Sequence, residues 1–137
     1  MPVCGSETLA TRSTFRDLLA ADAVDYVMLD LSWCGGISEA RKIGTMAEAY
    51  QKPIAPHDCT GLVTIFANIH ICAASTNAMI LETVRGYYEG WYKPVYTENV
   101  QIENGYASFP TRPGLGTSLK PEFLADPLTS TRVTVLP

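Results

Sequence analysis

The sequence is short of positive charge. Its 10 Lys and Arg are outnumbered by 14 Asp and Glu, giving a net charge of −4. No basic patch is available to replace the counterions around phosphates, so a nucleic-acid partner is not expected. Long hydrophobic runs are also missing. None approaches the roughly 20 apolar residues of a membrane span, so a membrane partner is not expected either. The opening Met1-Pro2-Val3-Cys4-Gly5-Ser6-Glu7 has neither the basic segment nor the apolar core of a signal peptide. Cysteine is sparse and contains no close pair suited to zinc or dithiol chemistry: Cys4, Cys34, Cys59 and Cys72 stand far apart. Without an export signal they read as reduced thiols in a cytoplasmic protein.

Length is the last shortage. A chain of 137 residues makes one ordinary domain. It falls short of the roughly 200 to 250 residues of a complete (β/α)8 barrel. Barrel-like units in this chain would therefore be a piece of a barrel. What the chain does have is a globular composition, 47% hydrophobic and 18% charged.

The first 85 residues alternate between two patterns. Met1 to Ser6, Tyr26 to Leu29, Pro53 to Pro56 and Ala78 to Leu81 are short apolar runs. Continuous apolar runs suit strands buried on both faces, as in parallel sheets. Between them lie residues at helical spacing. Thr11 or Ser13 is expected to cap a helix presenting Phe15, Leu18, Leu19 and Ala23. Gly35-Gly36 precedes a second, with Ile37, Ala40, Ile43, Ala47 and Tyr50 inward. Gly61 opens a third, with Leu62, Ile65, Phe66, Ile69 and Cys72 or Ala73 inward. This β-α-β-α-β-α-β order predicts an α/β fold with parallel strands and right-handed crossovers.

The character changes after Gly86. Tyr87, Tyr88, Trp91, Tyr92 and Tyr96 form an aromatic stretch, read as packing in the first instance and as a contact surface in the alternative. Gln101 to Phe109 predicts a hairpin with Asn104-Gly105 as its turn. Pro121 to Ala125 predicts one helical turn and Thr131 to Leu136 a final β-like segment.

Each of the four strands ends in an ionisable residue: Glu7, Asp30, His57 and Glu82. In parallel α/β barrels the C-terminal strand ends face the active site. Each residue has an ordinary alternative. Asp30 would cap a nearby amide, Glu7 and Glu82 would be solvated, and His57 would be a turn histidine. Their shared topological position favours an acid/base constellation. His70, mid-helix, reads as structural, and Arg41 and Lys42 as a solvated face. Cys59 lies close to the constellation but lacks an independent partner base.

At these residues the sequence resembles a known family, the mandelate racemase branch of the enolase superfamily. Glu7 to Asp30 spans 23 positions and Asp30 to His57 spans 27, as between the family's fifth-, sixth- and seventh-strand residues. Asp30-Leu31-Ser32 with Gly35-Gly36-Ile37, and Ala55-Pro56-His57, are similar to galactonate dehydratase-like members. Leu81-Glu82 and Pro113-Gly114-Leu115-Gly116 fit the eighth strand and the return to the capping domain.

The resemblance implies the C-terminal half of a (β/α)8-type barrel, strands five to eight, in residues 1–98. It implies a hairpin and a segment returning to an α+β capping domain in residues 99–137. Glu7 resembles the third carboxylate ligand of a Mg²⁺ ion, which prefers several oxygen ligands. Asp30 and His57 resemble an Asp-His dyad that moves the proton α to the substrate carboxylate. Glu82 resembles the hydrogen-bonding group on the opposite side of the enolate. The implied activity is acid-sugar dehydration by a homo-oligomeric full-length parent acting on a sugar acid. The alternatives are a racemase, epimerase or cycloisomerase of the same superfamily, and a non-catalytic fragment. Two further Mg²⁺ ligands, a Lys-x-Lys motif and the N-terminal capping domain are absent from these residues, so the chain alone is expected to be inactive.

Overall fold

A computed structural model describes residues 1–135 of the chain. Three parallel strands form its sheet: β1 (Cys4–Gly5), β2 (Tyr26–Leu29) and β3 (Ile54–Pro56), in the order β1-β2-β3. Between them run helices α1 (Thr11–Ala20), α2 (Leu31–Cys34) and α3 (Ile37–Ala49). Helix α4 (Leu62–Ala73) follows β3. The short α2 was not anticipated, and it begins at Leu31, directly after Asp30.

The first strand keeps only two residues of the expected Met1 to Ser6. Cys4 and Gly5 pair with Tyr26 and Val27. Side chains extend that attachment. Asp25 accepts the Val3 amide at 2.6 Å, and Ser6 Oγ donates to the Met28 carbonyl at 2.8 Å.

The fourth expected strand, Ala78 to Leu81, is an irregular segment held by an isolated parallel bridge to Ile54. Ile54 donates to the Asn77 carbonyl at 2.9 Å and accepts the Met79 amide at 3.0 Å. Pro56, two residues on, has no N–H to give. Its carbonyl accepts the Glu82 amide at 2.9 Å, three residues beyond Met79. One extra residue is therefore accommodated, as in a β-bulge.

Side-chain size explains the packing on the helical face. Val27 and Leu29 are fully buried against Phe15 and Leu19 of α1 and Ala40, Ile43 and Ala47 of α3. Gly44 of α3 faces the sheet, and a Cβ there would make an ordinary 3.5 Å contact with Ile54 Cδ1. Helix ends differ from expectation. Ala10, not Thr11 or Ser13, stands at the N-cap of α1 and offers no side-chain bond. Glu39 of α3 supplies the acceptor instead, taking the Arg12 amide at 2.9 Å. Ala23, Ile37, Tyr50 and Ala73 are exposed, because each lies at an end where the helix face turns away from the sheet.

Helix α4 is buried nearly all round. One side meets the sheet core. The other, with Leu62, Ile65, Phe66 and Ile69, meets Tyr92 and Val100 in a second cluster. The aromatic stretch thus packs in part: Tyr92 is buried, whereas Trp91 is 71% exposed and stacks on Tyr87 at 4.9 Å within a π-helical turn, Tyr87–Trp91.

The hairpin forms as expected, β4 (Ile102–Glu103) pairing antiparallel with β5 (Tyr106–Ala107). Asn104 and Gly105 turn with φ of 52° and 82°, the positive values a two-residue turn of this kind requires. Helix α5 (Pro121–Leu124) carries Pro at its start. No strand forms over residues 131–135, where no ladder partner is offered; Leu136 of that expected segment lies outside the described residues. Among the described residues no helix is long and apolar enough to cross a membrane.

Gly116 fastens the C-terminal segment to α4. Its φ is +92°, and a Cβ there would fall 2.4 Å from Pro110 Cβ and 3.6 Å from Phe66 Cε1. Gly116→Ala is expected to lower stability by about 1–3 kcal/mol through backbone strain and this overlap, read as a reduced urea midpoint. An unchanged midpoint would refute the close fit.

Candidate active site

Asp30 directly follows β2 and is fully buried. A buried carboxylate must be partnered on both oxygens. One oxygen accepts the Ser32 amide at 2.7 Å and so caps α2. The other lies 3.0 Å from His57 Nδ1 and 3.3 Å from Thr60 Oγ1, which donates to it. A neutral His57 that donates from Nδ1 keeps a lone pair on Nε2.

His57 directly follows β3, and its amide donates to the Leu29 carbonyl at 2.9 Å. Its side chain is 12% exposed. Asn68 of α4 donates to the His57 carbonyl at 2.9 Å, so the helix holds the backbone beneath the ring. On the outer side, Nε2 faces Glu82 Oε2 at 3.6 Å. Glu82 is half exposed. Asp30, His57 and Glu82 therefore form one line across the ends of adjacent segments of the sheet.

A hydroxyl cluster supports Asp30. Ser32 Oγ and Thr64 Oγ1 lie 2.5 Å apart, and Thr64 Oγ1 lies 3.0 Å from Thr60 Oγ1, whose single proton goes to Asp30. Thr60, Thr64 and Asn68 recur every four residues, a polar stripe on an apolar helix and its lead-in. Sequence reading passed over that stripe, although its period was the available signal.

Asp58, also passed over, is fully buried one residue after His57. It accepts the Gly61 amide at 3.4 Å and the Thr83 hydroxyl at 3.1 Å. Burial pushes its carboxyl above the ordinary value, bonds from Thr83, Gly61 and Thr60 oppose that, and the Asp30 charge adds to the rise.

Glu7 follows β1 and is half-buried. Its charge reaches the same rim. Desolvation first, and then the charges of Asp30, Asp58, Glu82 and Glu7, push the Cys59 thiol up. The thiol is thereby held protonated, which argues against a nucleophile at Cys59. All four cysteines are free. Burial alone pushes the Cys72 thiol up to about 11. His70 is structural in its contacts, with Nε2 3.2 Å from the Leu115 carbonyl and its ring edge-on to Phe109.

Among the described residues no three His, Cys, Asp or Glu side chains converge closely enough to hold an ion. Glu7 is a single oxygen donor, and one carboxylate does not suit Mg²⁺, which gives up its water shell reluctantly. These residues alone do not fit the ion.

Comparison with known proteins gives four consistent likenesses. A family model described as enolase C-terminal domain-like matches residues 1–123. The arabinonate dehydratase of Saccharolobus solfataricus is 36% identical over 120 residues, covering 88% of this chain and 32% of the relative. The D-galactonate dehydratase of Ralstonia pickettii is 36% identical over 124 residues, covering 87% of this chain and 32% of the relative. A crystal structure of an enolase of the mandelate racemase subgroup from Agrobacterium tumefaciens superposes with a TM-score of 0.82 at 46% identity. That match covers 90% of this chain and 33% of the solved one. The chain spans about a third of the length of the curated relatives it matches.

Asp58 gives a pH-dependent prediction. Its folded-state pKa lies above the ordinary 3.8. Its contribution to stability is therefore full below that value and is lost as pH rises through the folded pKa. Relative to the parent chain, Asp58→Asn should gain in urea midpoint as pH rises from about 4 to 7. A difference that stays flat across this window would count against the buried charge.

Proposed function

The chain belongs to the enolase C-terminal domain-like family, and from that premise we propose that it carries the acid/base half of an acid-sugar dehydratase active site. The observation that carries this reading is the Asp30–His57–Glu82 line, with His57 held between its neighbours at 3.0 Å and 3.6 Å. The relatives named as dehydratases of arabinonate and D-galactonate support the substrate class. The parallel sheet with its helices supports strands five to eight of a (β/α)8 barrel for residues 1–98. We assign the residues from 99 onward to the hairpin and to a segment returning to an α+β capping domain.

The chemistry follows from the two faces of the imidazole. Asp30, bonded to Nδ1, fixes the orientation and tautomer of the ring. Nε2 is then the atom that takes or returns a proton. In dehydration the C–H bond α to the carboxylate breaks, and a C–O bond on the β carbon breaks with it. The β oxygen leaves as water once it has gained a proton. The enol that remains rearranges to a 2-keto acid. Glu82, when protonated, donates a hydrogen bond to a substrate carboxylate oxygen and offsets part of the negative charge that develops there. Its present place, 3.6 Å from Nε2, leaves no room for a substrate carbon between them. Binding must therefore turn the half-exposed Glu82 side chain aside.

Glu7 is the one metal ligand we assign here. One carboxylate does not hold a Mg²⁺ ion, so this reading requires further oxygen donors beside Glu7. Full activity belongs to an assembly that supplies them.

Two experiments test the reading. The isolated chain, given arabinonate or galactonate with Mg²⁺, is expected to form no 2-keto acid. A chimera in which residues 1–123 replace the matched segment of the arabinonate dehydratase is expected to form it. His57→Asn in that chimera should lower kcat by about 10²–10⁴-fold while the far-ultraviolet circular dichroism stays unchanged. Substrate epimerised without loss of water would point to a racemase, and full activity in the His57→Asn chimera would overturn the assignment.

A further inference from the structure

Glu82 is the loosest member of the site. Its side chain is 49% exposed, and the ladder beneath it is imperfect. Pro56 cannot donate to the fourth segment, and the extra residue before Glu82 shifts the pairing that remains. At this end the backbone holds the fourth segment to β3 by one bond, from the Glu82 amide to the Pro56 carbonyl at 2.9 Å, and that bond does not fix the direction of the Glu82 side chain.

The neighbours of these two residues make a contact of their own. Asp58 follows His57, and Thr83 follows Glu82. Thr83 Oγ1 donates to Asp58 Oδ2 at 3.1 Å. Asp58 is rigid because it is fully buried and its other oxygen holds the amide of Gly61, the residue that opens α4. A buried carboxylate is a costly way to cap a loop, since its desolvation must be recovered from its bonds. Reaching across to the next segment gives that cost a second return. The bond lies one residue beyond the Glu82 amide's own bond to the Pro56 carbonyl.

We propose that Thr83 and Asp58 are positioning residues: their hydrogen bond ties the rim end of the fourth segment to the His57 loop and sets the separation of His57 Nε2 from Glu82. The proposal rests on the roles assigned above to His57 and Glu82. Its geometry is independent of any turnover.

The sequence contains two histidines, so the imidazole signals of the isotopically labelled chain separate readily in a nuclear magnetic resonance spectrum. His70 serves as the internal control. In the unaltered chain, a nuclear Overhauser cross-peak is expected between the His57 ring protons and the Glu82 γ protons. Thr83→Val keeps the side-chain shape and removes the hydroxyl. It should abolish that cross-peak while the His57–Asp30 contact and the His70 signals persist. Thr83→Ser should restore it. If Thr83→Val disturbs the His70 signals as well, Thr83→Ala provides the same comparison with less bulk. Persistence of the cross-peak without the hydroxyl, or failure of Thr83→Ser to restore it, would overturn the proposal. Neither result depends on the chimera's activity, so the two readings fail separately.

Discussion

The buried charge of Asp30 is the constraint around which this fold is arranged. A carboxylate shut away from water costs several kcal/mol unless its oxygens are bonded. Its partners come from three places in the chain: the Ser32 amide, the His57 ring and the Thr60 hydroxyl. Satisfying them starts α2 one residue after β2, aims the imidazole along the sheet rim, and draws the approach to α4 toward β2. The same bonds that make burial tolerable also orient the ring for proton transfer. Stability and chemistry are served here by one set of contacts.

The hydroxyls of Ser32, Thr60 and Thr64 belong to the same arrangement. They supply polar company for Asp30 without adding charge. Asp58 is a different case, because it brings a second carboxylate into a neighbourhood that already holds Asp30. Their repulsion contributes to the raised Asp58 value. That cost is borne next to the site, where buried charge also serves to fix the positions of moving protons.

Much of the order of elements was legible in the sequence, because parallel strands advertise themselves as continuous apolar runs. The strand-end positions of Asp30 and His57 followed from those runs, and the structure joins the two by a direct bond. Other features were hidden for identifiable reasons. The first strand shrank because pairing with β2 needs only Cys4 and Gly5. The fourth segment lost regularity because Pro56 withholds a donor, an effect on its neighbour that Ala78 to Leu81 does not reveal. Glu39 capping α1 is a tertiary contact between distant residues, invisible to local pattern. Ile37 and Tyr50 matched a helical face by spacing, yet both stand at helix ends beyond the reach of the sheet. Thr83 carried no signal of its own, since its importance lies in a partner 25 residues away.

Leu115 touches both apolar clusters, the one beneath the sheet and the one on the far side of α4. Val100 and Ile102 join the second cluster from beyond the aromatic stretch. The C-terminal segment is therefore thermodynamically entangled with the βα layer, whatever its separate origin in the topology. Loosening that segment would therefore uncover apolar surface of α4 as well, because Leu115, Val100 and Ile102 are among the side chains that cover it.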